Sequence, residues 1–365
     1  MQVSFQGASR MSFDLPDIIL RPASLLYKNI IRIRNRLYDQ QIFHTWHSPL
    51  PIVSIGNISA GGTGKTPLVD WIVKYYLSLG CKPAIVSRGY GRNTKGVQLV
   101  SDGKTVLMKS NACGDETAML AWNNRDAIVI VAEKRKDAVT FIIRRFAEAM
   151  PDVIILDDAF QHRQIARNLD IVVINEKEPY FRADMIPKGR LREPLINLAR
   201  ADLLVLSKIT GGSTTAAISM DLEQTGKPVI KAGIAAGNLV CLSGMFNTAK
   251  ESPVHAGIKA LAFAGIGSPQ SFIDTLEGQG IQIVSHRFFR DHESYTAKKI
   301  AALRLEADEK KLTLVTTEKD YFRMLGQPEL QEILHTLSCC YLKIRPEFTE
   351  GEKLLKTMLN AVINR

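Results

Sequence analysis

A glycine-rich segment directly after an apolar run is the strongest constraint on the fold of this chain. The run "PIVSIG" (51–56) predicts a buried strand, "NISAGGTGKT" (57–66) follows it, and a helix is predicted for 65–79. This order suits a phosphate-binding loop, because glycines allow close phosphate approach and helix N-terminal N–H groups point at the anion. The strict pattern asks for glycine at the position of Ser59. A glycine-rich turn without a ligand is the alternative interpretation.

The loop interpretation assigns roles to residues. Lys65 is expected to contact the β- and γ-phosphates of ATP, and the Thr66 hydroxyl is expected to ligate magnesium. The predicted nucleotide contacts are Gly61, Gly62, Thr63, Gly64, Lys65 and Thr66.

A pair of acids ends another predicted strand, "DVIILDD" (152–158). Carboxylates at the end of a strand beside a phosphate loop can hold a magnesium ion, so Asp157 and Asp158 are metal candidates. Gln161 is a third candidate, for the phosphate or magnesium environment. The alternative is an Asp that caps the following turn.

Short apolar runs alternate with helical segments along the chain, which predicts an α/β fold with a mostly parallel sheet covered on both faces. Residues 1–45 are predicted to form a leader and an amphipathic helix, 46–230 a phosphate-loop domain, and 231–365 a smaller α/β domain. The last helix is a candidate for packing back on the first domain. The predicted strands are 51–56, 83–88, 127–132, 152–158, 169–175, 202–208, 258–267, 281–286 and 312–320.

Composition limits the function classes. The net charge of +10 suits an anionic partner, but zinc-finger spacing and RNA-binding aromatic signatures are lacking, so no nucleic-acid partner is expected. The five cysteines show no CxxC pair, and we expect all of them to be reduced. Without a signal peptide or an apolar run of about 18 residues, the chain is expected to stay in the cytoplasm.

Residues 18–38 have the pattern of a basic amphipathic helix. One stripe at helical spacing is apolar, and the opposite side is basic. Such a helix can lie in a membrane interface. Packing as an ordinary surface helix on the domain is the alternative. The apolar stripe comprises Ile19, Leu26, Ile30, Ile33 and Leu37, and the basic side Lys28, Arg32 and Arg36.

Several motifs in order resemble those of the bacterial tetraacyldisaccharide 4'-kinase (lipid A 4'-kinase) family, over nearly the whole chain. Members of this family have the variant phosphate loop, so Ser59 is not a departure. The motifs are "GNISAGGTGKTP" (56–67), "SRGYGR" (87–92), "GDE" (114–116), "DDAFQHR" (157–163), "LREPL" (191–195), "RDH" (290–292) and "TTEKD" (316–320).

The resemblance implies a RecA-like phosphate-loop domain followed by a smaller α/β domain, with the active site in the cleft. It implies magnesium-dependent transfer of the γ-phosphate of ATP to the 4'-hydroxyl of a tetraacylated glucosamine disaccharide 1-phosphate, a lipid A precursor. It also implies peripheral attachment to the cytoplasmic face of the inner membrane through the basic N-terminal helix. No obligatory protein partner is inferred.

The resemblance also places catalytic residues. Asp115 would accept the proton of the attacking hydroxyl, and His292 would face the cleft from the second domain and pair with it. Read from the residues alone, Asp115 suits a helix N-cap and His292 a surface loop. Glu116 is expected to assist magnesium, to position Asp115 or to contact the substrate.

Four further residues are candidate substrate contacts. Arg88 and Tyr90 follow a predicted strand end, where such a sheet places ligands. Arg135 and Arg192 are candidates for neutralising the 1-phosphate or the transferred group, with a structural ion pair as the alternative. The "TTEKD" motif (316–320) suggests no chemistry by itself.

Two rival functions share these ingredients. A membrane-associated switch ATPase often has a lysine before the two loop glycines, where this chain has Ala60. A GTPase would normally have an Asn-Lys-x-Asp motif for guanine, and the segment "SKIT" (207–210) lacks both the Asn and the Asp. A kinase of another small molecule is the second rival, because motifs do not reveal a substrate directly.

Overall fold

The computed structural model describes residues 17–176, 183–207, 222, 224–242, 249–252, 257–291 and 293–364. The helices are α1 (Asp17–Asp39), α2 (Lys65–Ser78), α3 (Ser110–Cys113), α4 (Asp115–Asn123), α5 (Arg135–Arg145), α6 (Pro269–Gly278), α7 (Ala297–Lys310), α8 (Glu318–Leu325), α9 (Gln331–Thr336) and α10 (Glu352–Ile363). The segments Leu195–Arg200 and Pro328–Leu330 are 3₁₀ turns.

Thirteen strands of the described residues form one sheet, in the order β11-β10-β12-β13-β8-β7-β6-β1-β5-β2-β4-β3, with β9 beside β8. They are β1 (Ile52–Gly56), β2 (Pro83–Ser87), β3 (Gln98–Asp102), β4 (Ile128–Val131), β5 (Val153–Asp157), β6 (Leu169–Asn175), β7 (Leu203–Ser207), β8 (Val229–Leu242), β9 (Ala249–Ser252), β10 (Lys259–Ala264), β11 (Gln282–Phe288), β12 (Thr313–Thr317) and β13 (Cys339–Glu350).

Most neighbouring strands are parallel, which confirms the predicted fold class. Antiparallel pairs join β3 to β4, β8 to β9 and β8 to β13. The long β8–β13 pair connects the two parallel parts of the sheet. The proposed domain boundary at 230/231 stays a prediction.

Both faces of the sheet are covered. On one face, Leu68 and Ile72 of α2 share a buried cluster with Leu355 and Leu359 of α10, while α5 packs on the other face. The α2–α10 contact is also polar, because the Tyr76 hydroxyl donates to the Leu359 carbonyl at 2.9 Å. The closing helix therefore packs against the phosphate-loop part of the sheet.

The prediction of a strand over 312–320 is wrong at its end. The strand stops at Thr317, and α8 begins at Glu318. The Thr317 side chain accepts the N–H of Asp320, which caps the first turn of the helix. The "TTEKD" motif is thus a strand-to-helix turn.

The expectation of five reduced cysteines is also wrong, because Cys241 and Cys340 form a disulfide. They lie opposite each other on the antiparallel strands β8 and β13, although 99 residues separate them in the sequence. Cysteine spacing along the chain carries no information about such a cross-strand pair. Cys81, Cys113 and Cys339 are free thiols.

No helix in the described part of the chain is long and apolar enough to span a membrane.

Candidate active site

The phosphate loop connects β1 to α2 at the carboxyl edge of the sheet. Gly64 is the N-cap of α2 and has a φ of 83°, a left-handed conformation that favours glycine. The Thr63 carbonyl accepts the hydroxyl of Ser207, the last residue of β7, at 2.6 Å. This bond ties the loop to a neighbouring strand end. The N-terminus of α2 therefore stands at a fixed place on the edge of the sheet, with Gly61 and Gly62 in the preceding turn.

Ser59 stands where the strict pattern has glycine, and the structure explains the exchange. Its φ is not positive, it is fully buried, and it forms an antiparallel bridge with Leu191. The Ala60 N–H donates to the Arg190 carbonyl at 2.7 Å beside this bridge. The opening of the loop is therefore held in extended pairing by Arg190 and by Leu191, the first residue of "LREPL", and the position of Ser59 does not need glycine.

Asp158 lies between two cations. The Lys65 ammonium is 3.4 Å from one carboxylate oxygen, and the Arg192 Nη1 donates to both oxygens at 2.9 Å. Burial raises the pKa of Asp158, but Lys65 and Arg192 outweigh it and lower the pKa to about 2. The carboxylate is therefore ionised and acts as the counter-ion of the loop lysine.

Asp157, the last residue of β5, has a different environment. It is buried, and its Oδ2 accepts the Ser87 hydroxyl at 3.0 Å. Burial and the nearby carboxylates of Glu116 and Asp158 raise its pKa to about 6. The Thr66 hydroxyl donates to Glu116 at 3.2 Å. A cation bound among these oxygens would relieve the carboxylate repulsion, so Thr66, Glu116 and Asp157 fit a hard divalent metal.

Protein carboxylates do not make a metal cage by themselves here. In the described residues, no group of three or more His, Cys, Asp or Glu side chains has metal-binding geometry. Gln161 is close to the loop, but its amide donates to the Asn57 carbonyl at 2.8 Å. Magnesium in kinase sites is ordinarily held by one or two carboxylates together with substrate phosphates and water, so the sparse set is compatible with that ion.

The two arginines predicted to contact substrate lie in different settings. Arg135 is buried and donates to the carbonyls of Ala132 and Asp157, each at 2.8 Å. Burial lowers its pKa to about 10. These contacts favour the structural alternative for Arg135. Arg192 is more open, with 28% of its side chain exposed beside Asp158.

Arg88 and Tyr90 follow the end of β2 and point to solvent, Tyr90 with 70% exposure. The turn is tight against the next element, because a Cβ at Gly114 would lie 2.7 Å from the Tyr90 carbonyl. Gly114 has a φ of 89° and caps α4. This close contact places the exposed loop beside the start of α4.

Asp115 is the first residue of α4, and the N-cap is Gly114, so the N-cap interpretation of Asp115 is wrong. The carboxylate is 9% exposed. Its Oδ1 accepts the Glu116 N–H at 2.9 Å, and its Oδ2 accepts Nε and Nη2 of Arg323 at 3.2 and 3.1 Å. His292, the predicted partner of Asp115, lies outside the described residues.

The "TTEKD" motif supplies site residues that sequence reasoning missed. Lys319 of α8 forms an ion pair with Glu116 at 2.8 Å. Burial lowers the pKa of Lys319, but Glu116 and Asp115 outweigh this effect and raise it. The available signal was a pair of basic residues four apart, Lys319 and Arg323, which share one helix face.

Comparisons with known proteins identify the family to which this chain is similar. The family model for tetraacyldisaccharide-1-P 4'-kinase matches residues 16–364. The chain is 59% identical to a tetraacyldisaccharide 4'-kinase of Pelodictyon phaeoclathratiforme, over 95% of this chain and 98% of that protein. For the protein of that name in Chlorobaculum tepidum the identity is 53%, with the same coverage. A crystal structure of LpxK from Aquifex aeolicus in complex with ATP has a TM-score of 0.73 and 29% identity, over 94% of this chain and 98% of that one. The chain belongs to the tetraacyldisaccharide 4'-kinase family.

Proposed function

We propose that this protein transfers the γ-phosphate of ATP to the 4'-hydroxyl of a tetraacylated glucosamine disaccharide 1-phosphate. The products are the 1,4'-bisphosphate and ADP. The observation that carries the proposal is the phosphate loop, whose Lys65 pairs with Asp158 after β5 and whose Thr66 donates to Glu116 of α4, in a chain of this family.

The residues divide the work of phosphoryl transfer. The N–H groups of the loop and Lys65 bind and orient the phosphates, and Arg192 adds positive charge beside them. The 4'-oxygen forms a bond to the γ-phosphorus while the bond from that phosphorus to the β–γ bridging oxygen breaks. Asp115 takes the hydroxyl proton, and the electron pair of the broken bond leaves on ADP.

We further propose that Thr66, Asp157 and Glu116 would hold a magnesium ion. When bound, it would neutralise charge on the phosphate oxygens. The Asp158 carboxylate is paired with both Lys65 and Arg192. We therefore place Asp158 as a counter-ion of the loop and keep Gln161 as a water- or phosphate-facing candidate.

We also infer that α1 lies on the cytoplasmic face of the inner membrane. Four of the five residues of the apolar stripe face away from the fold, because Ile19, Leu26, Ile30 and Ile33 are 53–63% exposed, while Leu37 is half-buried. The helix packs on the domain through a different side, which buries Ser24, Ile31, Asn35 and Tyr38. The helix thus packs on the domain while most of its apolar stripe stays exposed, and an exposed apolar stripe beside basic residues is typical of interfacial helices.

Phosphate transfer tests the function directly. Purified protein is incubated with γ-labelled ATP, magnesium and tetraacyl disaccharide 1-phosphate in detergent, and the labelled lipid is quantified. We expect a labelled bisphosphate with the wild type and none with Asp115→Ala. ATP hydrolysis without labelled lipid would favour the switch ATPase, and full activity of Asp115→Ala would overturn the proton-acceptor role.

A flotation assay tests the membrane inference. Ile30→Glu and Ile33→Glu are expected to reduce binding to vesicles that contain anionic lipid, while Leu79→Glu, an exposed apolar residue elsewhere on the surface, serves as the matched control. Equal flotation of all variants would refute the role of α1.

A further inference from the structure

Two consecutive acids at the start of α4 are held by two cations from α8. Glu116 pairs with Lys319 at 2.8 Å, and Asp115 pairs with Arg323 at 3.1 Å. Lys319 and Arg323 are four residues apart and therefore lie on one face of α8. The "TTEKD" turn and the helix after it thus reach the proposed proton acceptor across 208 residues of sequence.

The arginine itself is rigidly held. Its side chain is 9% exposed, and its Nη1 donates to the Asp320 Oδ1 at 2.8 Å and to the Gly265 carbonyl at 3.0 Å. Asp320 is in turn fixed by the Gly265 N–H at 3.0 Å and by the Thr317 hydroxyl at 2.6 Å. One edge of the guanidinium is therefore bound to this network, and the other edge faces Asp115.

Helix packing alone does not account for this contact. Other groups already join this region to α8: the Asn123 amide of α4 donates to Glu318 at 2.9 Å, and the Ser110 hydroxyl of α3 donates to the Phe322 carbonyl. Neither bond involves an acid of the site. A buried arginine whose Nε and Nη2 both donate to one carboxylate oxygen fixes the orientation of that carboxylate.

We propose that Arg323, held by Asp320, is a positioning residue that orients the Asp115 carboxylate for proton transfer from the acceptor hydroxyl. The inference rests on the proposed kinase function. Lys319 has the parallel role of holding Glu116. The reaction thereby depends on α8, which follows β12 in the second parallel part of the sheet, although α8 contributes no group that reacts.

Steady-state kinetics with the lipid substrate test this role, with variants Arg323→Met and Arg323→Lys. Misplacing a catalytic group lowers kcat by about 100-fold, so we expect a loss of that order in Arg323→Met, with the KM for ATP within about twofold of the wild type. Arg323→Lys keeps a cation and one donor toward Asp115. Its kcat is therefore expected to be about tenfold higher than that of Arg323→Met.

The matched control is Asn123→Ala, which weakens the same helix pair without touching Asp115. We expect a lower melting temperature but an unchanged kcat. The proposal would be overturned if Arg323→Met folds and its kcat lies within threefold of that of Asn123→Ala. It would also be overturned if the kcat of Arg323→Lys is no higher than that of Arg323→Met.

The experiment distinguishes failure of the proposed function from failure of the role of Arg323. If the wild type forms no lipid product, the proposed function fails and the inference falls with it. If the wild type is active, only the variants decide about Arg323. If Arg323→Met does not fold, Arg323→Lys is compared with the wild type instead. An unchanged kcat in Arg323→Lys overturns the proposal. A kcat lower by about tenfold, with an unchanged KM for ATP, supports it.

Discussion

Glu318 gives a quantitative prediction, because it is a carboxylate buried in the contact between α4 and α8. It is 7% exposed, and its Oε1 accepts the Asn123 amide at 2.9 Å. Burial and the nearby Asp70 raise its pKa to about 7 from an ordinary 4.5, against the opposing effects of Asn123, Lys343 and Lys74. The folded chain thus retains a proton here that the unfolded chain loses.

The sign and size of the effect follow from linkage. Between pH 4.5 and about 7 the folded state binds the extra proton, so the free energy of unfolding falls as the pH rises through this window. Glu318→Gln retains the acceptor oxygen and has no charge. At about 1.4 kcal/mol for each tenfold change in proton affinity, the variant should be more stable than the wild type by about 1 kcal/mol at pH 5 and about 3 kcal/mol at pH 8.

Urea unfolding at pH 5 and pH 8, followed by circular dichroism and tryptophan fluorescence, measures this difference. Coincident transitions in the two signals check that one free energy describes the change. The control is Glu309→Gln on α7, an exposed glutamate that should give no pH-dependent gain. A gain from Glu318→Gln that is equal at both pH values, or a loss at pH 8, would refute the reasoning.

Three further predictions concern the loop, the start of α4 and the last helix. Lys65→Met should abolish lipid phosphorylation, measured with γ-labelled ATP, while leaving the circular dichroism spectrum unchanged, because the lysine forms its ion pair with Asp158 in the site. Gly114→Ala places a Cβ 2.7 Å from the Tyr90 carbonyl at a φ of 89°, and should cost about 1–3 kcal/mol in urea unfolding. Tyr76→Phe removes the hydrogen bond from this hydroxyl to the Leu359 carbonyl, and should lower the unfolding free energy by about 1 kcal/mol. An unchanged urea midpoint in either of the last two variants would contradict its stated contact.

The phosphate loop and the sheet around it were predictable because their signals are local. An apolar strand, a glycine-rich turn and a helix start occupy consecutive residues, and the alternation repeats along the chain. The long pair β8–β13 was missed. Its first strand, "VIKAGIAAGNLVCL", is rich in small residues, and its second contains Pro346, which demotes a strand prediction. The disulfide was missed with them, because its cysteines meet only through this pairing.

The charge balance of the site shows why its residues were only partly predictable. Lys65 and Asp158 each belong to a recognisable motif, but their 3.4 Å contact depends on the parallel pairing of β1 with β5. The contact between Asp115 and Arg323 depends on more, since β8 and β13 must join the two parts of the sheet before α8 can pack on α4. The "TTEKD" motif can therefore be recognised in the sequence without revealing its role. The carboxylates that its helix contacts come close to it only in the folded chain. The same dependence makes the proposed positioning role testable: if Arg323 serves Asp115, its loss must appear in kcat rather than in ATP binding.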